Sequence, residues 1–174
     1  MLALDRKKAK NKETLIKIKP YFPLILVFIY LLATTLLLKF FYHFSWATWM
    51  NFFMGGFFLV FSFFKFLNLK GFAKAYQTYD LIAEKFPLWG YLYPGIELVL
   101  GVGYLLQILL PIANLITLTV MGVSSIGVLN TLTEKKSIKC ACLGTFFDLP
   151  MSKLTLFENL LMAIMSGIML FKRV

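Results

Sequence analysis

The chain has 174 residues, of which 60% are hydrophobic and 15% are charged, and its mean hydropathy is +0.79. This composition excludes a water-soluble domain, a disordered chain and a disulfide-rich secreted domain. Half of the formal net charge of +10 lies ahead of the first apolar segment, so we interpret it as an anchor beside an anionic leaflet. The sequence therefore predicts an integral membrane protein in contact with lipid and no nucleic-acid partner.

In chain order, five apolar segments are long enough to cross a bilayer, which takes about 20 helical residues. They follow a basic N-terminal segment, residues 1–20, and comprise residues 21–41, 48–67, 89–109, 113–132 and 154–171. In lipid the backbone N–H and C=O groups must pair within their own segment, so each segment predicts a helix. The predicted fold class is all-α, with about five transmembrane helices and a tight helical hairpin around Pro111.

Lysine and arginine are distributed unevenly between the two predicted sides of the membrane. Of the 18 basic residues, only Lys39, Lys172 and Arg173 lie on the side opposite the N-terminus. Because basic residues accumulate on the cytoplasmic side, this count predicts a cytoplasmic N-terminus and an outer C-terminus. It also predicts that the loop before the last helix is cytoplasmic.

The connection between the second and third apolar segments, residues 71–86, has a helical pattern. Apolar residues recur there at spacings of three and four, namely Phe72, Tyr76, Tyr79, Ile82, Ala83 and Phe86. Polar residues lie between them, among them Asp80 and Glu84. This pattern predicts a short amphipathic helix in the cytoplasmic interface, ended by Pro87 and packed against the bundle.

The chain has two cysteines, Cys140 and Cys142, in the loop before the last helix. Two residues apart in a turn, they can form a strained disulfide, and strained disulfides are comparatively oxidising. The pair could therefore exchange electrons with another thiol. The same spacing suits a soft cation such as Cu(I), with Met151 as a further ligand. A third interpretation makes the cysteines small apolar residues of a turn, and no other cofactor is indicated.

Glu97 lies well inside the third apolar segment, where an ionised carboxylate is costly and normally faces a partner or water. Lys65, near the inner end of the second segment, is a candidate counter-charge, although its long side chain could equally reach the interface. We interpret Glu97 either as a proton or cation site or as a protonated carboxyl hydrogen-bonded between helices.

Other polar and small residues have structural explanations. Thr155 and Glu158 match a capping box at the start of the last helix, so Glu158 is predicted to be a helix cap. Small residues indicate surfaces where helices approach closely. These are Gly101, Gly103, Ser124, Ser125 and Gly127.

Several of these features occur in a characteristic order: Lys65, Tyr79, Pro94 with Glu97, and Cys140-x-Cys142-x-Gly144. Over residues 48–171 the chain thereby resembles the MauE/DoxX-like family of redox-associated membrane proteins. The resemblance implies a four-helix core, preceded here by the 21–41 helix, in the inner membrane of a bacterium. In the family's last helix an arginine commonly precedes an asparagine, whereas Glu158 precedes Asn159 here.

The resemblance also implies a function. MauE is associated with maturation, export or disulfide formation of the small subunit of methylamine dehydrogenase. We therefore expect Cys140 and Cys142 to be a redox pair that assists maturation of a partner, with Glu97 and Lys65 tuning the bundle interior. The expected partner is a thioredoxin-like protein or a maturing redox protein. Copper or heavy-metal handling is the alternative, since similar bundles accompany heavy-metal-associated domains. Enzymatic activity and homo-oligomerisation are left open.

Overall fold

A computed structural model describes residues 22–133, 139–140, 149–150 and 153–172. The predicted basic segment 1–20 lies outside these residues. Six helices are described: α1 (Phe22–Tyr42), α2 (Trp46–Leu67), α3 (Leu69–Tyr76), α4 (Pro87–Leu105), α5 (Leu110–Thr133) and α6 (Lys153–Lys172). Two two-residue strands, β1 (Lys139–Cys140) and β2 (Leu149–Pro150), pair antiparallel. The all-α fold class is confirmed, and each of the five predicted segments contains one long helix.

Three of the described helices are long and apolar enough to cross a membrane by length and composition. These stretches are Leu24–Tyr42, Trp46–Leu67 and Leu110–Thr133, and Leu156–Phe171 is a shorter apolar helical stretch. Large apolar side chains remain exposed on these helices, for example Ile29, Leu129 and Ile164. Exposed apolar surface of this extent is stable in contact with acyl chains, so the helices form a membrane bundle.

Local sequence signals set the ends of the helices. Ser45 precedes α2, and its Oγ accepts a hydrogen bond from the backbone N–H of Thr48 at 3.1 Å. The side chain of Asn68 accepts from the N–H of Gly71 in the same way and starts α3. Helix α4 begins at Pro87, where the missing N–H of proline costs no helical hydrogen bond. The polar caps and the proline thus separate three consecutive helices.

The bundle is built from two closely packed helix pairs, α2 with α4 and α5 with α6, while α1 lies against α2. A Cβ atom on Gly101 would lie 2.9 Å from the side chain of Leu59 on α2, so the predicted close approach at Gly101 is confirmed. At Gly103 a Cβ atom would meet only the carbonyl oxygen of Ile108, at the ordinary contact distance of 3.7 Å. Gly101 is therefore a packing glycine, and the prediction for Gly103 is wrong.

The predicted hairpin between the third and fourth segments is confirmed, with residues 106–109 joining α4 to α5. Gln107 and Leu109 have positive φ angles of 57° and 50°. The hydroxyl of Tyr104 lies within hydrogen-bond distance of two side-chain oxygens of α5, Oδ1 of Asn114 at 2.8 Å and Oγ1 of Thr117 at 3.0 Å. These contacts stabilise the turn. The antiparallel arrangement places both α3 and the strands at the opposite end of the bundle, which we call the α3 end.

The predicted amphipathic helix over residues 71–86 is only partly correct. The helix ends at Tyr76, and residues 77–86 form turns. Asp80 was predicted on the polar face but is buried, and its carboxylate accepts hydrogen bonds from the N–H groups of Ile82 and Ala83 at 3.0 and 2.9 Å. An aspartate that bonds the backbone two and three residues ahead starts a new turn. Packing of this connection against the bundle is confirmed, since Tyr79 and Ala83 belong to the core.

Candidate functional site

An ion pair joins α2 and α4, one of the two closely packed helix pairs, in the interior of the bundle. Nζ of Lys65 on α2 lies 2.5 Å from Oε1 of Glu97 on α4, and the two side chains are 6% and 2% exposed. The counter-charge predicted for Glu97 is therefore Lys65, and the lysine does not extend to the interface. Desolvation of two charges is offset only by close pairing together with hydrogen bonds to the remaining polar atoms, and Lys65 provides the close pairing at Oε1.

Aromatic rings surround the ammonium group of Lys65. Nζ lies 4.7 Å from the ring centroid of Tyr93 and 5.3 Å from that of Phe72. The ring of Tyr76 packs against both, with centroid separations of 4.6 and 5.1 Å. The negative faces of aromatic rings attract a cation most strongly where water is excluded. The rings therefore favour a cation at this position and fix the direction of the lysine side chain.

The ion pair lines a small cavity with a volume of about 20 Å³. Residues from five helices and from the 77–86 connection surround it, including Phe57, Phe61, Tyr79, Met121, Ser124, Val128, Glu158 and Asn159. A cavity needs about 10–15 Å³ to hold one water molecule. Oε2 of Glu97 is buried and has no hydrogen-bond partner among the described residues. The cavity is thus a polar site with room for one water molecule.

Glu158 is the residue of this site that the sequence interpretation missed. It was predicted to be a helix cap, but α6 begins at Lys153 and Glu158 lies in its second turn, 3% exposed. Its carboxylate interacts electrostatically with Lys65. The sequence does contain a signal for this position. Met162 and Met165 follow Glu158 by four and seven residues and are both buried, so this spacing places Glu158 on the inner face of the helix.

Polar side chains connect the cavity with the α3 end. Nδ2 of Asn159 donates to Oγ of Ser124 at 3.4 Å, and the hydroxyl of Tyr76 donates to the same oxygen at 3.5 Å. Burial raises the pKa of Tyr76 well above its ordinary value, so its hydroxyl keeps its proton. Ser124, predicted only as a packing residue, therefore joins α3, α5 and α6 through hydrogen bonds.

Of the predicted thiol site, the structure describes the backbone of Cys140, which lies at the same end of the bundle. The backbone of Cys140 is in β1, opposite Leu149 of β2, and β1 lies beside α3. Cys142 and Met151 lie outside the described residues, so the C-x-C pair and the copper ligand set stay predictions. The structure brings Lys65 and Glu97 together and adds Glu158, while Cys140 belongs to a strand beside the helix that carries Tyr76.

The fold and the site together define a class of protein: a helical membrane bundle with a buried lysine–glutamate pair. Residues 44–172 match the family described as Methylamine utilisation protein MauE. Because this match covers most of the chain, the chain belongs to the MauE family. No curated protein and no solved structure matches it significantly.

Proposed function

We propose that this protein assists the maturation of a partner protein by thiol-disulfide exchange at Cys140 and Cys142. The observation that carries the proposal is the position of β1, the strand containing Cys140, beside α3. Helix α3 contributes Phe72 and Tyr76 to the lysine–glutamate cavity. The backbone of Cys140 is therefore beside a helix that lines the buried polar site, and membership of the MauE family supports a protein partner.

The proposed reaction needs no cofactor. One thiolate of a reduced partner attacks the Cys140–Cys142 disulfide, and a mixed disulfide forms as the first S–S bond breaks. The second partner thiolate then attacks the mixed disulfide, which leaves the partner oxidised and the C-x-C pair reduced. A disulfide-bearing thioredoxin-like protein would reoxidise the pair by the reverse exchange. Each complete exchange transfers two electrons, and the total numbers of thiol groups and of protons stay the same.

Exchange can be measured with the purified full-length protein in lipid nanodiscs and a fluorescent peptide that carries two thiols. We expect C140S, C142S and the double variant to reduce the rate to background, because the chain has no other cysteine. E84Q is a matched control, since Glu84 is exposed at the same end. Full exchange activity in the double variant would refute the proposed function.

The alternative function is binding of Cu(I) by Cys140, Cys142 and Met151. One feature favours it: the two cysteines are soft sulfur ligands only two residues apart. Competition between the reduced protein and a Cu(I) chelator distinguishes the two functions. Copper retained by the wild-type protein but not by the double cysteine variant, together with absent peptide exchange, would favour metal handling.

We further propose that the protein lies in the inner membrane of a bacterium with its N-terminus and its α3 end on the cytoplasmic side. The basic residues support this orientation. A membrane-impermeant thiol reagent applied to intact cells should therefore leave Cys140 and Cys142 unlabelled until the cells are opened. A single-cysteine control with Thr48→Cys, near the opposite end of α2, should be labelled from outside. The reverse pattern would place the thiol chemistry on the outer face.

A further inference from the structure

The buried site contains more negative than positive groups. Among the residues that the structure describes, Lys65 is the one cationic residue that lines the cavity, whereas Glu97 and Glu158 are both carboxylic acids, and all three are at least 95% buried. Ionised residues inside a membrane bundle are stable when they are paired. One ammonium group balances one carboxylate, so the second carboxylate needs another cation.

The other elements around Glu158 supply no further positive charge among the described residues. Helix α3 and the 77–86 connection contribute the neutral hydroxyls of Tyr76 and Tyr79, α4 contributes Tyr93, and α5 contributes Ser124. Asp80, in the same connection, adds a negative charge whose oxygen already accepts two backbone hydrogen bonds.

On its other side Glu158 borders an apolar groove of about 80 Å³ between α1 and α6. The groove is otherwise lined by Leu24, Ile25, Phe28, Ile29 and Phe157. These side chains can neither donate a hydrogen bond nor compensate a charge, so a charged Glu158 would be stabilised from the cavity side alone. The environment of Glu158 is therefore less polar than that of Glu97, which contacts Lys65 directly.

We propose that Lys65, Glu97 and Glu158 form a proton-binding site in which Glu158 carries one exchangeable proton. The proton makes the cluster neutral: a charged lysine, one carboxylate and one carboxylic acid. Lys65 lies beside Glu97, so the carboxylate is assigned to Glu97 and the proton to Glu158. The cavity has room for one water molecule beside them.

The role of this proton rests on the proposed function. The first partner thiol releases its proton to water and attacks as a thiolate, while the O–H bond of Glu158 breaks and an S–H bond forms on the leaving cysteine thiolate. The second partner thiol then gives its proton to the Glu158 carboxylate and attacks the mixed disulfide. The second cysteine thiolate takes a proton from water, so each exchange leaves the site unchanged. Ser124 and Tyr76 provide hydrogen-bonding groups between Glu158 and the α3 end, and the cavity has room for one water molecule beside them.

Infrared spectroscopy of the full-length protein in nanodiscs tests the site without using the cysteines. At neutral pH we expect a carbonyl band of a protonated carboxylic acid. The band should disappear in E158Q, and also in E97Q, because the single remaining glutamate would then pair with Lys65. E84Q should keep it. K65M should increase the band, because both glutamates would need protons. Absence of the band in the wild type, or an unchanged band in E158Q and E97Q, would overturn the proposal.

The peptide-exchange assay tests the role of the proton. Proton transfer by a positioned side chain typically contributes about 10²–10⁴-fold to a rate, so we expect E158Q to slow exchange by about 100-fold. An unchanged rate in E158Q would refute this role. Activity in the double cysteine variant would instead refute the proposed function, and the infrared result would stand independently.

Discussion

Replacement of Lys65 by methionine is expected to lower the free energy of unfolding by about 3 to 5 kcal/mol, the usual cost of removing one partner of a buried ion pair. Methionine fills a similar volume, so loss of packing contributes little. Glu97 and Glu158 would both lose their nearest positive charge. The expected loss is therefore electrostatic.

The corresponding change on the acidic side should be milder. In E97Q the ammonium group of Lys65 loses one charged partner, but Glu158 remains within electrostatic reach. We expect a loss of about 1.5 to 3 kcal/mol, the range for one hydrogen bond to a charged group. The double variant K65M/E97Q should be more stable than the sum of the two single effects predicts, because contacting residues are not additive.

Equilibrium unfolding in mixed micelles, followed by helix content, measures these differences. K74M is the control, since Lys74 lies on α3 and is exposed, and exposed substitutions usually change stability by less than about 0.5 kcal/mol. Equal losses in K65M and E97Q would show that Glu158 does not share the lysine.

Much of the bundle could be predicted from the sequence because lipid permits few kinds of backbone structure. The five long helices and the hairpin before Pro111 follow from apolar segments and their interruption. Pairing of Lys65 with Glu97 was also accessible, since a carboxylate inside an apolar helix requires a partner. These conclusions depend on local composition and on charge balance.

The remainder depends on tertiary packing. The start of α6 decides whether Glu158 caps a helix or faces the interior, and the capping-box pattern placed that start three residues too late. The predicted amphipathic helix ends at Tyr76, and the Asp80 carboxylate bonds the backbone of a separate turn that follows it. Neither outcome follows from periodicity. The first depends on where α6 begins, and the second depends on side-chain hydrogen bonds within one turn.

The same dependence on close approach makes Gly127 sensitive to any side chain. A Cβ atom on Gly127 would collide with the backbone carbonyl oxygen of Tyr79. A backbone atom cannot rotate away as a flexible side chain can, so the 77–86 connection would have to move. We expect G127A to lower the free energy of unfolding by about 1 to 3 kcal/mol, the typical cost of overpacking.

Gly122 on the same helix provides a matched comparison. A Cβ atom there would have no neighbour within 4 Å, and alanine is favoured over glycine in a helix by about 0.8 to 1 kcal/mol. G122A should therefore be neutral or stabilising in the same unfolding measurement. The opposite effects of one methyl group at two sites would identify the contact with Tyr79 as the cause.

Because Tyr79 also lines the cavity, G127A should change the infrared band of Glu158 while G122A leaves it intact. Equal effects of the two substitutions would mean that the connection yields at Gly127 without cost.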